Sequence, residues 1–146
     1  MTEISGAASG ALDSDSPQAD EHAKRYYEAI RNRTSDSDVT RIAKNTNFSE
    51  KVVKQIKNHV FLDVHNLGGG KMGRFTPEYD MALAWDRLIQ GTYTELDITL
   101  LKHELVELTQ MRCHGYDYNK AHDIANIYHN WALEKTLKKM REAKNE

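Results

Sequence analysis

The 146-residue chain has one cysteine, Cys113, two prolines and eight glycines. A single cysteine excludes an internal disulfide framework and any C-x-x-C redox or metal site. Two prolines leave room for long helices. No apolar run approaches the ~20 residues that a membrane-crossing helix needs, so no membrane span is expected. The stretch after Met1 has neither a basic segment nor an apolar core, which argues against a signal peptide. Charge of one sign is lacking as well: 20 Lys+Arg stand against 22 Asp+Glu, for a formal net charge of -2. That balance argues against a surface given over wholly to nucleic acid, while a local basic patch stays compatible with it. Histidine, by contrast, is plentiful, with seven residues. The 39% hydrophobic and 29% charged content fits one compact domain with a packed core and a well-solvated surface.

Residues 1–19 are small and polar without apolar periodicity and read as a flexible leader or linker. From Asp20 an amphipathic helix is expected, with Ala23, Tyr26, Tyr27 and Ile30 inward, followed by a short one over Val39–Lys44. Ser49 is placed to cap a third, which turns Val52, Val53, Ile56 and Val60 inward. The stretch FLDVHNLGGGKMGRF reads as a mobile loop or at most a small hairpin. Thr76-Pro77-Glu78 gives a helix start, and that helix carries Met81, Ala82, Trp85, Leu88 and Ile89 to Gly91. A further helix runs from Asp97 to Gly115, and a last one starts at Asp117 or Asn119 and continues through Trp131 into the charged tail. The expectation is therefore a mainly α, single-domain bundle of about six helices with one Gly-rich loop or small hairpin. It would span residues 20–139, with 140–146 as a charged, disordered tail.

RIAKNTNFSEKVVKQIKNHVF has the spacing of a helix-turn-helix, in which Lys51, Lys54, Lys57 and Asn58 would face a nucleic acid. The negative net charge and the missing basic arm favour a plain helical packing unit instead. The sharper chemical signal is His103-Glu104-Leu105-Val106-Glu107. On a helical wheel Glu104 falls within the apolar arc, with Glu107 and His103 at its edge. A carboxylate aimed at a core needs a partner. His122, on the next helix, would come opposite the His103/Glu107 face if the Gly115 connection makes the two helices antiparallel neighbours. His65 sits in the Gly-rich loop and Arg74 ends it.

Three readings follow. His103 and Glu107, at i and i+4, would hold a divalent metal as an HExxE variant of HExxH, with Glu104 as base and His122 or His65 as a further ligand. The carboxylate at the last position weakens the case for zinc and leaves room for a harder ion. Alternatively His65 and His122 would move protons, oriented by Glu104, while Arg74 holds a phosphate oxyanion, as in a metal-independent ribonuclease. In the third reading the cluster is a structural Glu–His pair. Gly68-Gly69-Gly70-Lys71 lacks the GK[ST] signature of a phosphate loop. Trp85, Trp131 and the tyrosines read as mostly core, and Cys113 as a small packing residue.

Taken in order, HAKRYYEAIR, IAKNTNFSEKVVKQIKNHVF, His65–Gly68 (HNLG), Arg74–Pro77 (RFTP), Trp85–Gly91 (WDRLIQG), Asp97–Glu104 (DITLLKHE) and Ala121-His122 resemble a small domain. That domain stands at the C-terminal end of prophage head-morphogenesis (MuF-type minor capsid) proteins and of some bacterial polymorphic toxins. The resemblance runs from about Ala19 to Trp131. It implies a module carried by a phage or secreted protein, found in the bacterial cytoplasm or phage particle or delivered to a target cell. As an effector it would be a hydrolase, most concretely a nuclease acting on nucleic acid, and an immunity protein would be its partner. The rival is a non-catalytic assembly or interaction domain that contacts a phage head protein. The resemblance brings forward His65, Arg74, His103, Glu104, Glu107 and His122, the residues already singled out.

Overall fold

Ser16 begins the first helix: its Oγ accepts the Ala19 amide at 3.1 Å, and Pro17 occupies the first turn. In the computed structural model, which describes residues 15–144, the elements are almost all α-helical. Helix α1 (Pro17–Asn32) thus begins inside the expected leader, because Ala19 is fully buried and extends the 19/22–23/26–27/30 stripe by one turn. Residues 1–14 of that leader lie outside the described residues. The contacts divide the chain into two compact units.

The first unit, residues up to Val64 together with Arg74–Tyr93, holds α1, α2 (Ser37–Asn45), α3 (Glu50–Lys57), a π-helical turn (Asn58–Leu62) and α4 (Tyr79–Gln90). Its core packs Tyr27 edge-to-face with Phe61 and Phe61 edge-to-face with Trp85, with ring centroids 4.6 and 5.2 Å apart. Ser49 caps α3 as expected, and Gly91 ends α4 at φ +80°. Asn45 seals that end by donating from Nδ2 to the Leu88 and Ile89 carbonyls at 2.9 and 3.1 Å. The start of α4 departs from expectation. Glu78 is extended (φ -120°, ψ 130°) and the helix begins at Tyr79, not at the Thr76-Pro77 cap. The Tyr79 ring packs on Ala19 and Ala23, and this contact fixes the entry point.

Lys57 is the surprise of this unit. Its side chain is 2% exposed, and its Nζ donates to Asp38 Oδ1 at 2.9 Å and Asp36 Oδ1 at 3.0 Å. Asp38, equally buried, also accepts the Trp85 indole N–H at 3.2 Å. Lys54 pairs with Asp36 at 2.8 Å. Two of the three lysines on the helix-turn-helix face are therefore neutralised within the protein, one of them inside the core. Only Lys51 among them is exposed and unneutralised.

The second unit holds residues 65–73 and the chain from Thr94 onward. The Gly-rich stretch is a two-residue hairpin: β1 (His65–Asn66) pairs antiparallel with β2 (Met72–Gly73), His65 opposite Gly73. Gly68, with φ +94°, turns it; the backbone there favours glycine, and a Cβ would lie 2.5 Å from Asn119 Nδ2, whose side chain would have to move. Helix α5 (Glu95–His114) packs on α6 (Tyr118–Tyr128) and α7 (Trp131–Lys144). The single last helix expected from the sequence is two. His129 is non-helical (φ -143°, ψ 83°), and Asn130 Oδ1 accepts the Leu133 amide at 3.0 Å as a new cap. Helix α7 also carries the expected disordered tail through Lys144, and none of its residues is buried. Cys113 is exposed, not a packing residue. Trp131 is half-buried, whereas Trp85 is core. Among the described residues no helix is long and apolar enough to cross a membrane.

Candidate functional site

Helix α5 opens with Thr94, whose amide donates to Asp97 Oδ2 at 3.1 Å, and closes on Gly115 at φ +67°. Asp117 caps α6 by accepting the Lys120 amide at 2.9 Å. The short connection lays α6 against α5, as the sequence implied. The buried side of α5 is rotated from the apolar arc. Asp97, Leu100, Leu101, His103, Glu107 and Leu108 are buried, while Ile98, Glu104 and Leu105 are half-buried. Glu107, expected at the edge, is 1% exposed, and Glu104, expected within the arc, is the more accessible carboxylate. Pairing explains the reversal, because a polar group enters a core only where its partners accompany it.

Those partners are on α5 and α6. His103 Nε2 lies 3.3 Å from His122 Nδ1 and 3.5 Å from Glu107 Oε2, and His122 Nδ1 lies 3.1 Å from Glu107 Oε2. The other nitrogen of His103, Nδ1, is 2.9 Å from the His129 carbonyl. A carbonyl only accepts, so Nδ1 carries the proton and Nε2 of the neutral ring presents a lone pair to the cluster. This hydrogen bond is the kind that orients metal-ligating histidines. The His103 and Glu107 side chains are 5% and 2% exposed, whereas that of His122 is 38% exposed, so the cluster opens to solvent on one side.

The spacing can be compared with an ion's requirements. Two ligands of a tetrahedral zinc ion stand ~3.3 Å apart when each bond is about 2.0–2.1 Å. The three observed separations of 3.1, 3.3 and 3.5 Å bracket that value. The point equidistant from the three atoms is about 1.9 Å from each, so a small displacement off their plane gives zinc-like bond lengths. With three protein donors, an ion held here would have room for a further ligand.

Of the other expected residues, Glu104 is half-buried on the same helix, next to His103 in sequence. His65 is buried in β1 and is not one of the three donors. Arg74 belongs to the first unit, where its Nε donates to the Leu62 carbonyl at 3.0 Å. The metal-free set of His65, His122, Glu104 and Arg74 is thus not assembled within one unit. Tyr118 was missed: its hydroxyl lies 3.3 Å from His122 Nδ1. Its position four residues before His122 on one helical face was the available signal. Compared with known proteins, the chain matches no family model, no curated protein and no solved structure.

Proposed function

We propose that the chain is a metal-dependent hydrolase, an effector of the phage-borne or polymorphic-toxin kind. His103 Nε2, Glu107 Oε2 and His122 Nδ1 would hold a divalent ion of the zinc class. The observation that carries the reading is the convergence of these three donors at tetrahedral spacing, with the tautomer of His103 fixed by the His129 carbonyl. Such an ion supplies Lewis-acid polarisation and lowers the pKa of water. Glu104, half-buried and adjacent to His103 on the helix, is the general base of this site. The Tyr118 hydroxyl lies beside the exposed ligand, 3.3 Å from His122 Nδ1. Nucleic acid is the substrate class proposed, and an immunity protein is the partner such an effector requires.

A second reading has its own observation: His103 and Glu107 are almost wholly buried, as in a structural pair that locks α5 to the α6–α7 junction. That reading belongs to a non-catalytic phage-head assembly domain. Zinc titration by calorimetry separates the two. The metal reading expects one ion per chain, an affinity at least tenfold lower for His122→Ala, and no binding by Glu107→Gln. It also expects growth arrest with nucleic-acid degradation on expression, abolished by Glu104→Ala in a protein that still binds the ion. A folded wild type that binds no zinc, manganese or cobalt defeats it.

A further inference from the structure

The Arg31 and Arg74 side chains lie in the first unit and take no part in the metal cluster. Arg31 Nε donates to the Phe61 carbonyl at 2.6 Å, and one of its terminal nitrogens reaches the Phe75 carbonyl at 3.5 Å. Arg74 Nε donates to the next carbonyl in the chain, Leu62, at 3.0 Å. Both acceptors sit at the end of the π-helical turn Asn58–Leu62, where terminal carbonyls lack partners inside the helix. Such turns are frequent at functional sites. Two guanidinium groups are thus anchored by consecutive carbonyls, each through the nitrogen nearest its stem.

Neither arginine forms an ion pair with a carboxylate among the described residues. Burial and then the charge of Arg74 lower the pKa of Arg31, opposed by Tyr27, whose ring centroid lies 5.5 Å from the guanidinium carbon, and by Glu28. Neutral carbonyls orient a guanidinium but do not cancel its charge. Anchoring at Nε leaves the terminal N–H groups of Arg74, and those of Arg31 not turned to Phe75, free to donate. These are the groups that bind tetrahedral oxyanions in pairs. Arg74 is exposed and Arg31 half-buried, so a ligand has access from one side.

We infer that Arg31 and Arg74 form a phosphate-binding site, in which the consecutive carbonyls of Phe61 and Leu62 hold two guanidinium groups ready for one phosphate group. Its ligand is a phosphate monoester or the phosphodiester of a nucleic acid. The inference is independent of the metal reading and does not use its residues.

The test is calorimetric titration of the whole chain in EDTA, which removes metal from the question. The ligands are inorganic phosphate and, separately, a ten-nucleotide single-stranded DNA, with sodium chloride at matched ionic strength as control. Saturable phosphate binding is expected, weakened at least tenfold in Arg74→Gln and clearly weakened in Arg74→Lys, which keeps the charge but loses the fork. Arg74 is exposed, so both variants should keep the wild-type melting temperature. Oligonucleotide binding with a salt slope that falls in Arg74→Gln would make the ligand a nucleic-acid backbone. Binding of inorganic phosphate alone would make it a small phosphorylated molecule. Equal phosphate affinity in wild type and Arg74→Gln, or chloride binding as well as phosphate, overturns the site.

Discussion

Lys57→Met is the substitution whose cost the structure sets most sharply. The ammonium has two partners of unequal burial: Asp38, with a side chain 0% exposed, at 2.9 Å, and Asp36, 48% exposed, at 3.0 Å. The exposed pair contributes about 0–1 kcal/mol, since water and salt screen it. The buried one is different. Methionine fills much the same volume but leaves the Asp38 carboxylate in the core with the Val39 amide and the Trp85 indole as its donors. Breaking a buried pair from one side costs about 3–5 kcal/mol. Asp36→Asn, which loses its pairs with both Lys57 and Lys54, should therefore cost at most about 2 kcal/mol. Lys57→Met combined with Asp38→Asn should recover about 1–3 kcal/mol relative to the sum of the singles, because neither charge is then left alone. For a unit of this size each kcal/mol moves the melting temperature by roughly 4–8 °C, so Lys57→Met should lower it by at least about 12 °C. Urea unfolding followed by Trp85 fluorescence, in a Trp131→Phe background so that only the first unit reports, gives the comparison. A Lys57→Met midpoint no lower than that of Asp36→Asn would refute the reasoning.

Three further outcomes are expected. His22 is buried against the Tyr79 ring, its Nε2 has no hydrogen-bond partner, and burial, aided by Arg25, holds its pKa below the ordinary imidazole range. The folded state thus favours the neutral ring: stability is complete above the unfolded value of ~6.5 and is lost as pH falls toward the folded one. His22→Phe should accordingly flatten the fall in urea midpoint between pH 7 and pH 5, and an unchanged slope would reject this origin. Gly68→Ala should cost at least about 1–2 kcal/mol for its left-handed backbone, and more than Gly69→Ala, because only at Gly68 does the new Cβ meet Asn119; thermal melts decide the order. Cys113, being exposed, should react with a thiol reagent in the native protein as fast as in urea, and protection would contradict the structure.

The elements that the sequence displayed were those governed by local chemistry. Ser49 and Asp117 are caps because their side chains satisfy amides three residues on, and Gly91 and Gly115 are stops because they take positive φ. The apolar spacing of α1 and α4 likewise announced Tyr26, Tyr27, Trp85 and Leu88 as core. Failures came where tertiary contacts override such signals. Tyr79 moves the start of α4 past a good Thr-Pro cap, and Asn130 begins a helix where periodicity ran on unbroken. Lys57 could not be read as buried, since its two aspartates lie some twenty residues away in sequence. The candidate site was half legible. Helical spacing and a short connection brought His122 to His103 and Glu107, but the wheel chose Glu104 as the inward carboxylate because it weighed apolarity alone.

That error bears on function. Both units bury a carboxylate, and they compensate it by different means. In the first, Asp38 faces the Lys57 ammonium and the Trp85 indole N–H, so the network is closed by groups of the chain itself. In the second, Glu107 lies between two imidazoles, one of which has its proton committed to a backbone carbonyl and its lone pair turned inward. Imidazole supplies positive charge to such a group only by taking up a further proton or by sharing a cation. A purely structural role would be served as well by the lysine arrangement that this chain already uses. Two histidines at ligand spacing, one buried and oriented and the other open to solvent, are the features on which the proposed metal site rests.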